Sequence, residues 1–242
     1  DADPHARAHR ELSRLRVVFV AGSQLGAPLC LRATEAFGPV LYNVYGSTEA
    51  AYATIATPAD LAEAPGCVGR PVPGAVVAIL DATDRELPAG HTGRIFVGND
   101  YQFEGYTGGG DKPRVRGLMA TGDLGHIDAA GRLFVDGRED DMIVSGGENV
   151  FPLEVENLIA GRDDVFEAAV VGVDDREFGK RLRAFVVPGP GSARDPQEIK
   201  DYVKANLARY KVPREVIFLD ELPRNATGKL LRKPLAEMPV PE

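Results

Sequence analysis

One lysine near the carboxyl end asks for a chemical reason. In LPRNATGKLLRKPL, 222–235, Lys229 directly follows Gly228. A phosphate-binding loop would read G-x-x-x-x-G-K-[ST]. This stretch does not: Pro223 stands where the first glycine belongs, and Leu230 where a magnesium-holding Ser or Thr would be. A lysine is a point charge on a long stem, cationic at neutral pH with a free pKa of about 10.4. Three further constellations precede it in order: YGSTE (Tyr45–Glu49), TGDLGHIDAAGRL from Thr121, and GREDDMIVSGGENVFPLEVE (Gly137–Glu156). Metal and redox chemistry find less support. His5, His9, His91 and His126 show no ligand spacing. Cys30 and Cys67 are far apart, form no CxxC, and read as reduced, buried thiols.

The elements that must position these groups are legible in outline. RLRVVFVAGSQL holds a β-branched run, Val17 to Val20, ending at Gly22-Ser23, the pattern of a buried parallel strand and its carboxyl-end loop. PLCLRATEAF predicts a short helix stopped by Gly38-Pro39, and VLYNVYGSTEA a second strand running into a Gly/Ser/Thr loop. Strand–helix–strand is the unit of a parallel α/β sheet, which binds ligands at the carboxyl ends of its strands. From Cys67 to Arg138 short β runs alternate with Gly and Pro, with turns at Leu87–Gly90 and Asp128–Gly131, predicting an antiparallel β subdomain. The last hundred or so residues predict a compact α/β unit. Its elements are a helix from Pro152, strands at FEAAVVGV and RLRAFVVP, a helix capped by Asp195-Pro196, and a last strand at EVIFLDELP. Ile199, Tyr202, Val203, Leu207 and Tyr210 are expected on one face of that second helix. Gly108–Gly110 and Pro188–Gly191 read as surface loops. The fold class expected is therefore α/β, mixed α+β: the end of a parallel α/β sheet, a small antiparallel subdomain and a carboxyl-terminal α/β lid.

Composition bounds the partners. The 242 residues are 44% hydrophobic and 26% charged, and 36 acidic against 28 basic side chains leave a net charge of −8. That balance argues against nucleic acid or an anionic membrane as the main partner, while leaving room for a local basic pocket. No apolar run approaches the roughly 20 residues of a membrane span. DADPHARAHRELSRLR has no apolar core and does not read as a secretory signal, so a cytoplasmic location is expected.

The four constellations, in this order, resemble the adenylate-forming superfamily: acyl-CoA synthetases, luciferases and the adenylation domains of peptide synthetases. SGGENVFPLEVE looks most like the fatty-acyl and aryl CoA ligases. The resemblance implies a ligase that joins a carboxylic acid to ATP, releasing pyrophosphate, and then passes the acyl-adenylate to CoA. Two anions must meet in the first step, and a positioned cation stabilises the charge that gathers there. By this resemblance Lys229 bridges the carboxylate and the α-phosphate. Glu49 helps to bind the Mg2+ that escorts ATP, Thr48 bonds the α-phosphate, and Tyr45, beside Gly46, stacks on adenine. Gly22 and Ser23 line the adenine, Asp123 takes both ribose hydroxyls, and Arg138 also reaches the ribose. Asp140 is the hinge about which the lid turns between the two half-reactions. In one pose Lys229 enters; in the other Ser145, Gly146 and Gly147 approach the pantetheine arm of CoA. Plainer readings stand beside these: strand-end packing for Tyr45 and Thr48, a turn aspartate for Asp123, an ion pair with Glu139 or Asp140 for Arg138, and a tight turn for Gly146-Gly147.

The resemblance also implies boundaries at 1–66, 67–139 and 140–242: the end of the large domain's α/β core, its β subdomain and the mobile lid. The family's Ser/Thr/Gly-rich loop ending in Pro-Lys-Gly does not occur in these residues. The chain is expected to correspond to a carboxyl-terminal half, unable alone to adenylate an acid, with an amino-terminal half as a partner. Met119 and Ala120 stand where relatives carry an aromatic and an arginine. Lys180, with Arg181 and Arg183, makes a basic spot read as a solvated strand edge or a contact for CoA phosphates. Two other readings remain: an enzyme that loads a carrier protein, and a non-catalytic regulatory module.

Overall fold

The computed structural model describes residues 12, 14–226 and 228–239. Most of the opening stretch read above for a secretory signal lies outside them. The architecture is mixed α/β, with three sheets following one another along the chain.

The first sheet runs β1 (Val18–Val20), β2 (Leu41–Ser47), β3 (Ala51–Ala56) and β4 (Arg70–Pro71), in that spatial order. β1 and β2 are parallel, joined by helix α1 (Ala27–Phe37), which ends at Gly38. One face of the pair is closed: Leu41 and Cys30 are buried with Leu25, Ala56, Leu61 and Cys67. The opposite face is open, with Phe19 64% exposed beside the Tyr42 ring. A second short helix, α2 (Pro58–Glu63), begins at a reciprocal capping box between Thr57 and Asp60. Asp60, buried, also pairs with Arg70 on β4. The first sheet thus reaches past Cys67, where composition changes. Cys30 and Cys67 are both free and buried, as expected.

The second sheet comprises β5 (Val76–Leu80), β6 (Gly93–Gly98), β7 (Arg114–Val115), β8 (Leu118–Ile127) and β9 (Leu133–Arg138), all antiparallel. The ten-residue β8 is its spine, paired with β6, β7 and β9. Its core, built on Ile95, Val97, Met119 and Leu133, also takes in Ala50 and Ala53, so the β2–β3 hairpin packs onto this sheet.

The third sheet holds β10 (Ile143–Ser145), β11 (Glu148–Val150), β12 (Val165–Asp175), β13 (Gly179–Pro188) and β14 (Glu215–Phe218). Helices α3 (Pro152–Ala160) and α4 (Pro196–Asn206) cover one face with a core of Val155, Ile159, Val170, Leu182, Ala184 and Val203. Helix α5 (Arg232–Glu237) covers the other, where Phe185, Ile217 and Leu235 are buried. Burial on both faces explains the near-continuous apolar runs of β12 and β13. Two expectations are corrected here. α4 stops at Asn206, and Tyr210 sits 40% exposed in a short 3-10 turn, Arg209–Lys211, rather than on the buried helical face. β13 is no edge: it is flanked by β12 and β14, and Arg183 is buried, its charge met by Glu215 at 2.5 Å. Arg181 pairs with Glu215 and Asp175, so the basic spot is largely neutralised.

Candidate nucleotide site

The antiparallel register of β8 and β9 sets Asp123 opposite Arg138, and cross-strand neighbours of opposite charge attract. Arg138 Nη1 donates to Asp123 Oδ1 at 3.1 Å, and its Nε donates to Asp140 Oδ1 at 3.0 Å. The second oxygen of Asp123 accepts from the Tyr45 hydroxyl at 2.6 Å. The packing of the β2–β3 hairpin on the second sheet makes this contact across 78 residues of sequence. Burial, and then the Asp123 carboxylate, hold the Tyr45 hydroxyl well above its ordinary pKa, so it stays a donor. Each carboxylate oxygen offers about two acceptor directions. Asp123 is therefore clamped in place while one direction per oxygen stays available for a vicinal diol. Arg138 thus forms the ion pair with Asp140 that the plainer reading offered, and pairs with Asp123 as well.

Tyr45 leads into a tight hairpin. A Cβ on Gly46 would lie 1.9 Å from the Ala51 carbonyl oxygen, so no other residue fits that backbone. Ser47 Oγ accepts from Ala50 N at 3.1 Å, and Thr48 stands exposed at the tip. Gly22 and Ser23 are exposed just beyond β1. Since Val20 is level with Asn43, they lie at the same sheet end as Tyr45 and Gly46.

Glu49 accepts from the Tyr106 hydroxyl at 2.8 Å, which first among several hydrogen bonds holds its carboxyl below the usual range. Phe103 N donates to the Glu49 carbonyl oxygen at 3.0 Å. Tyr106 was not among the residues singled out from sequence. Nor was Lys112, whose Nζ donates to the Thr121 carbonyl oxygen at 3.4 Å, two residues from Asp123. A tyrosine and a lysine flanking a glycine run just before TGD were the signal that could have found them.

The remaining residues lie on the third sheet and its loops. Gly146 and Gly147 take φ of 60° and 87°, the two-residue hairpin between β10 and β11, whose turn type requires positive φ at both positions. The tight-turn reading of this pair is thus realised, with Ser145 at the strand end and Gly146 N bonded to the Phe178 carbonyl oxygen at 2.9 Å. Lys229 is exposed on a closed loop: Asn225 N donates to its carbonyl oxygen and Asn225 Oδ1 accepts from its N, each at 2.9 Å. Gly228 beside it has φ 83°. Arg224 ties the loop to Glu167 on β12 and to the Gly228 carbonyl oxygen, while Arg232 fixes the start of α5 to Glu156 and Asp141. Among the described residues no carboxylate pairs with the Lys229 ammonium, and no hydrogen bond joins it to Tyr45, Glu49, Asp123 or Arg138.

Comparison with known proteins gives this geometry a family. Residues 1–107 match the model of the AMP-binding enzymes, and 154–229 match that of the AMP-binding enzyme C-terminal domain. The chain belongs to the AMP-binding, adenylate-forming enzymes. Indoleacetate–CoA ligase of Aromatoleum aromaticum is 37% identical over 232 residues, covering 94% of this chain and 45% of that protein. The fatty acid–[acyl-carrier-protein] ligase ScoC of Streptomyces coeruleorubidus is 33% identical over 236 residues, with the same coverage of 94% and 45%. ATP-bound MatB of Rhodopseudomonas palustris superposes with a TM-score of 0.84 at 34% identity, covering 92% of this chain and 45% of that chain. Its apo form, at the same identity and coverage, gives a TM-score of 0.74. The chain spans about half the length of the relatives it matches, aligned with their carboxyl-terminal half. Among the described residues no helix is long and apolar enough to cross a membrane.

Proposed function

We propose that the chain is the nucleotide-clasping and lid portion of an ATP-dependent acid–CoA ligase. The observation that carries this reading is Asp123, held on the second sheet between the Tyr45 hydroxyl and the Arg138 guanidinium with acceptor capacity to spare, against the end of the first sheet that presents Gly22, Ser23, Gly46 and Thr48. In the first half-reaction the acid's carboxylate attacks the α-phosphorus of ATP and pyrophosphate leaves. Asp123 and Arg138 hold the ribose, Tyr45 and the glycine-bearing loops border the adenine, and Lys229 lies between the two anions. In the second, the CoA thiol attacks the acyl carbon, its proton goes to solvent, and AMP leaves as the thioester forms.

One loop cannot serve both steps at once, so the lid, 140–242, turns about Asp140 relative to 1–66 and 67–139 and exchanges Lys229 for the Ser145–Gly147 hairpin. An exposed Lys229 whose ammonium meets no carboxylate among the described residues suits a group that must enter and leave. The two MatB forms support the same reading: one sequence matches this chain at TM-scores of 0.84 and 0.74 according to its ligand state. Glu49 offers one ionised carboxylate, and no group of three or more His, Cys, Asp or Glu gathers among the described residues. That donor set fits a Mg2+ ion taking most of its ligands from phosphate oxygens and water, which would neutralise phosphate charge when bound. The open Phe19–Tyr42 face fits an amino-terminal half completing the parallel sheet, since such sheets are covered on both faces.

For the acid we take a fatty acid as the working substrate, on the likeness of SGGENVFPLEVE. The aryl acids in the names of several relatives belong in the same assay. Similarity to ScoC favours a second reading, transfer to a carrier protein. The test supplies presynthesised acyl-adenylate with either CoA or a carrier-protein thiol. Thioester formation on CoA supports the proposal. Transfer to the carrier protein alone replaces it with the second reading, and no transfer to either, by the chain joined to an amino-terminal half, leaves a non-catalytic module. Alone, the chain is expected to show no ATP–pyrophosphate exchange, and exchange above background would contradict that.

A further inference from the structure

The loop 103–113 connects the two carboxylate centres of the site. At one end Phe103 N and the Tyr106 hydroxyl bond to Glu49, at 3.0 and 2.8 Å. At the other, Pro113 O accepts from Ala120 N at 2.8 Å and Lys112 Nζ donates to Thr121 O at 3.4 Å. The loop therefore runs from the β2–β3 hairpin tip to the strand that carries Asp123, and Lys112 stands at its inner end, half-buried.

Its charge is unspent. A lysine ammonium has three protons to donate. Here one bond to a neutral carbonyl is its contact, and no carboxylate lies within ion-pair distance among the described residues. The neighbouring Arg138, by contrast, is committed to Asp123 and Asp140. Lys112 stabilises the ionised forms of both Glu49 and Asp140, so its ammonium lies within electrostatic reach of the hairpin tip and of the hinge. It is also carried by the second sheet's own loop, and stays in place when Lys229 moves with the lid.

We propose that Lys112 is a phosphate-contacting residue, whose ammonium meets the phosphate groups of the nucleotide that Asp123 and Arg138 hold by the ribose. This rests on the nucleotide reading of the site, and the experiment separates the two. The present chain is titrated calorimetrically with adenosine, AMP and ATP, as wild type, Lys112→Met, Lys112→Arg and Asp123→Asn, at two salt concentrations. A charged hydrogen bond of this kind is worth about a tenfold change in affinity. Lys112→Met is expected to weaken AMP and ATP about tenfold, to leave adenosine unchanged, and to flatten the salt dependence of AMP binding. Lys112→Arg restores AMP affinity, and Asp123→Asn weakens all three ligands. If Asp123→Asn weakens all three but Lys112→Met binds AMP as the wild type does, the nucleotide site stands and the Lys112 contact is refuted. A wild-type chain that binds neither adenosine nor AMP overturns both.

Discussion

Replacing Arg232 by methionine should unfasten the last helix from the lid. Arg232 Nη1 and Nη2 reach the two oxygens of Glu156 at 2.5 and 3.1 Å, Nη1 also donates to the Val170 carbonyl oxygen at 2.9 Å, and Nε pairs with Asp141 at 3.3 Å. Glu156 is only 7% exposed, and beyond Arg232 its carboxyl is met by the Val170 N–H at 2.7 Å. Removing one partner of a fully buried pair costs about 3–5 kcal/mol, because the other charge is left uncompensated. The Arg232 side chain is 28% exposed, so water reaches its vacated place, and a loss of about 2–3 kcal/mol is expected. That is roughly two decades in the opening equilibrium. Hydrogen exchange read by mass spectrometry on peptides spanning 228–239 and 152–160 measures it. Both should lose protection by that factor in Arg232→Met, and the double variant with Glu156→Gln should recover most of it, since the amide oxygen still accepts from Val170 N without a charge to bury. Unchanged exchange in the single variant, or no recovery in the double, would refute the idea that this pair anchors α5 and the Lys229 loop beside it.

Other outcomes follow from the same contacts. Tyr106→Phe removes the leading cause of the lowered Glu49 pKa, so the Glu49 titration followed by NMR should move up toward the free value of about 4.3. The stability that Glu49 contributes is present above its unfolded pKa and is lost as pH falls through the folded one, so in the variant the contribution should be smaller and its loss complete at a higher pH. Gly147 has open space around its missing Cβ but φ 87°, so Gly147→Val should cost the β10–β11 hairpin about 1–2 kcal/mol by backbone strain alone. Gly147→Asn should fold normally in thermal melts while slowing thioester formation, if the hairpin borders the CoA arm. Tyr45→Phe should leave Asp123 with Arg138 as its charged partner and weaken adenosine binding by a few-fold, checked by calorimetry.

Much of the framework was legible before any coordinates. β1, α1 and β2 follow from a β-branched run, a helix closed by Gly38 and a second apolar run. The bounds of α3 follow from Pro152 at its first turn and an amphipathic stretch to Ala160. α2 was overlooked although Thr57-Pro58-Ala59-Asp60 spells its capping box, because a single helix turn and a half carries little periodicity. Arg183 was misplaced because its charge was read as exposure, whereas β13 is flanked on both sides, and Tyr210 because the helical spacing was carried past Asn206, where α4 ends. The site residues were reached through motif likeness. The bond between Tyr45 and Asp123, and the roles of Tyr106 and Lys112, depend on how the β2–β3 hairpin packs on the second sheet, which no local pattern encodes.

The central claim is that Lys229 serves the adenylation step and then withdraws. Its direct test joins the chain to the amino-terminal half that its matched relatives carry and compares wild type with Lys229→Ala in two assays: pyrophosphate release from ATP and acid, and thioester formation from added acyl-adenylate and CoA. The loss of a cation that bears on the transition state predicts a fall of about a hundredfold or more in the first, with the second unchanged. Equal loss in both assays, or none in the first, would contradict the account.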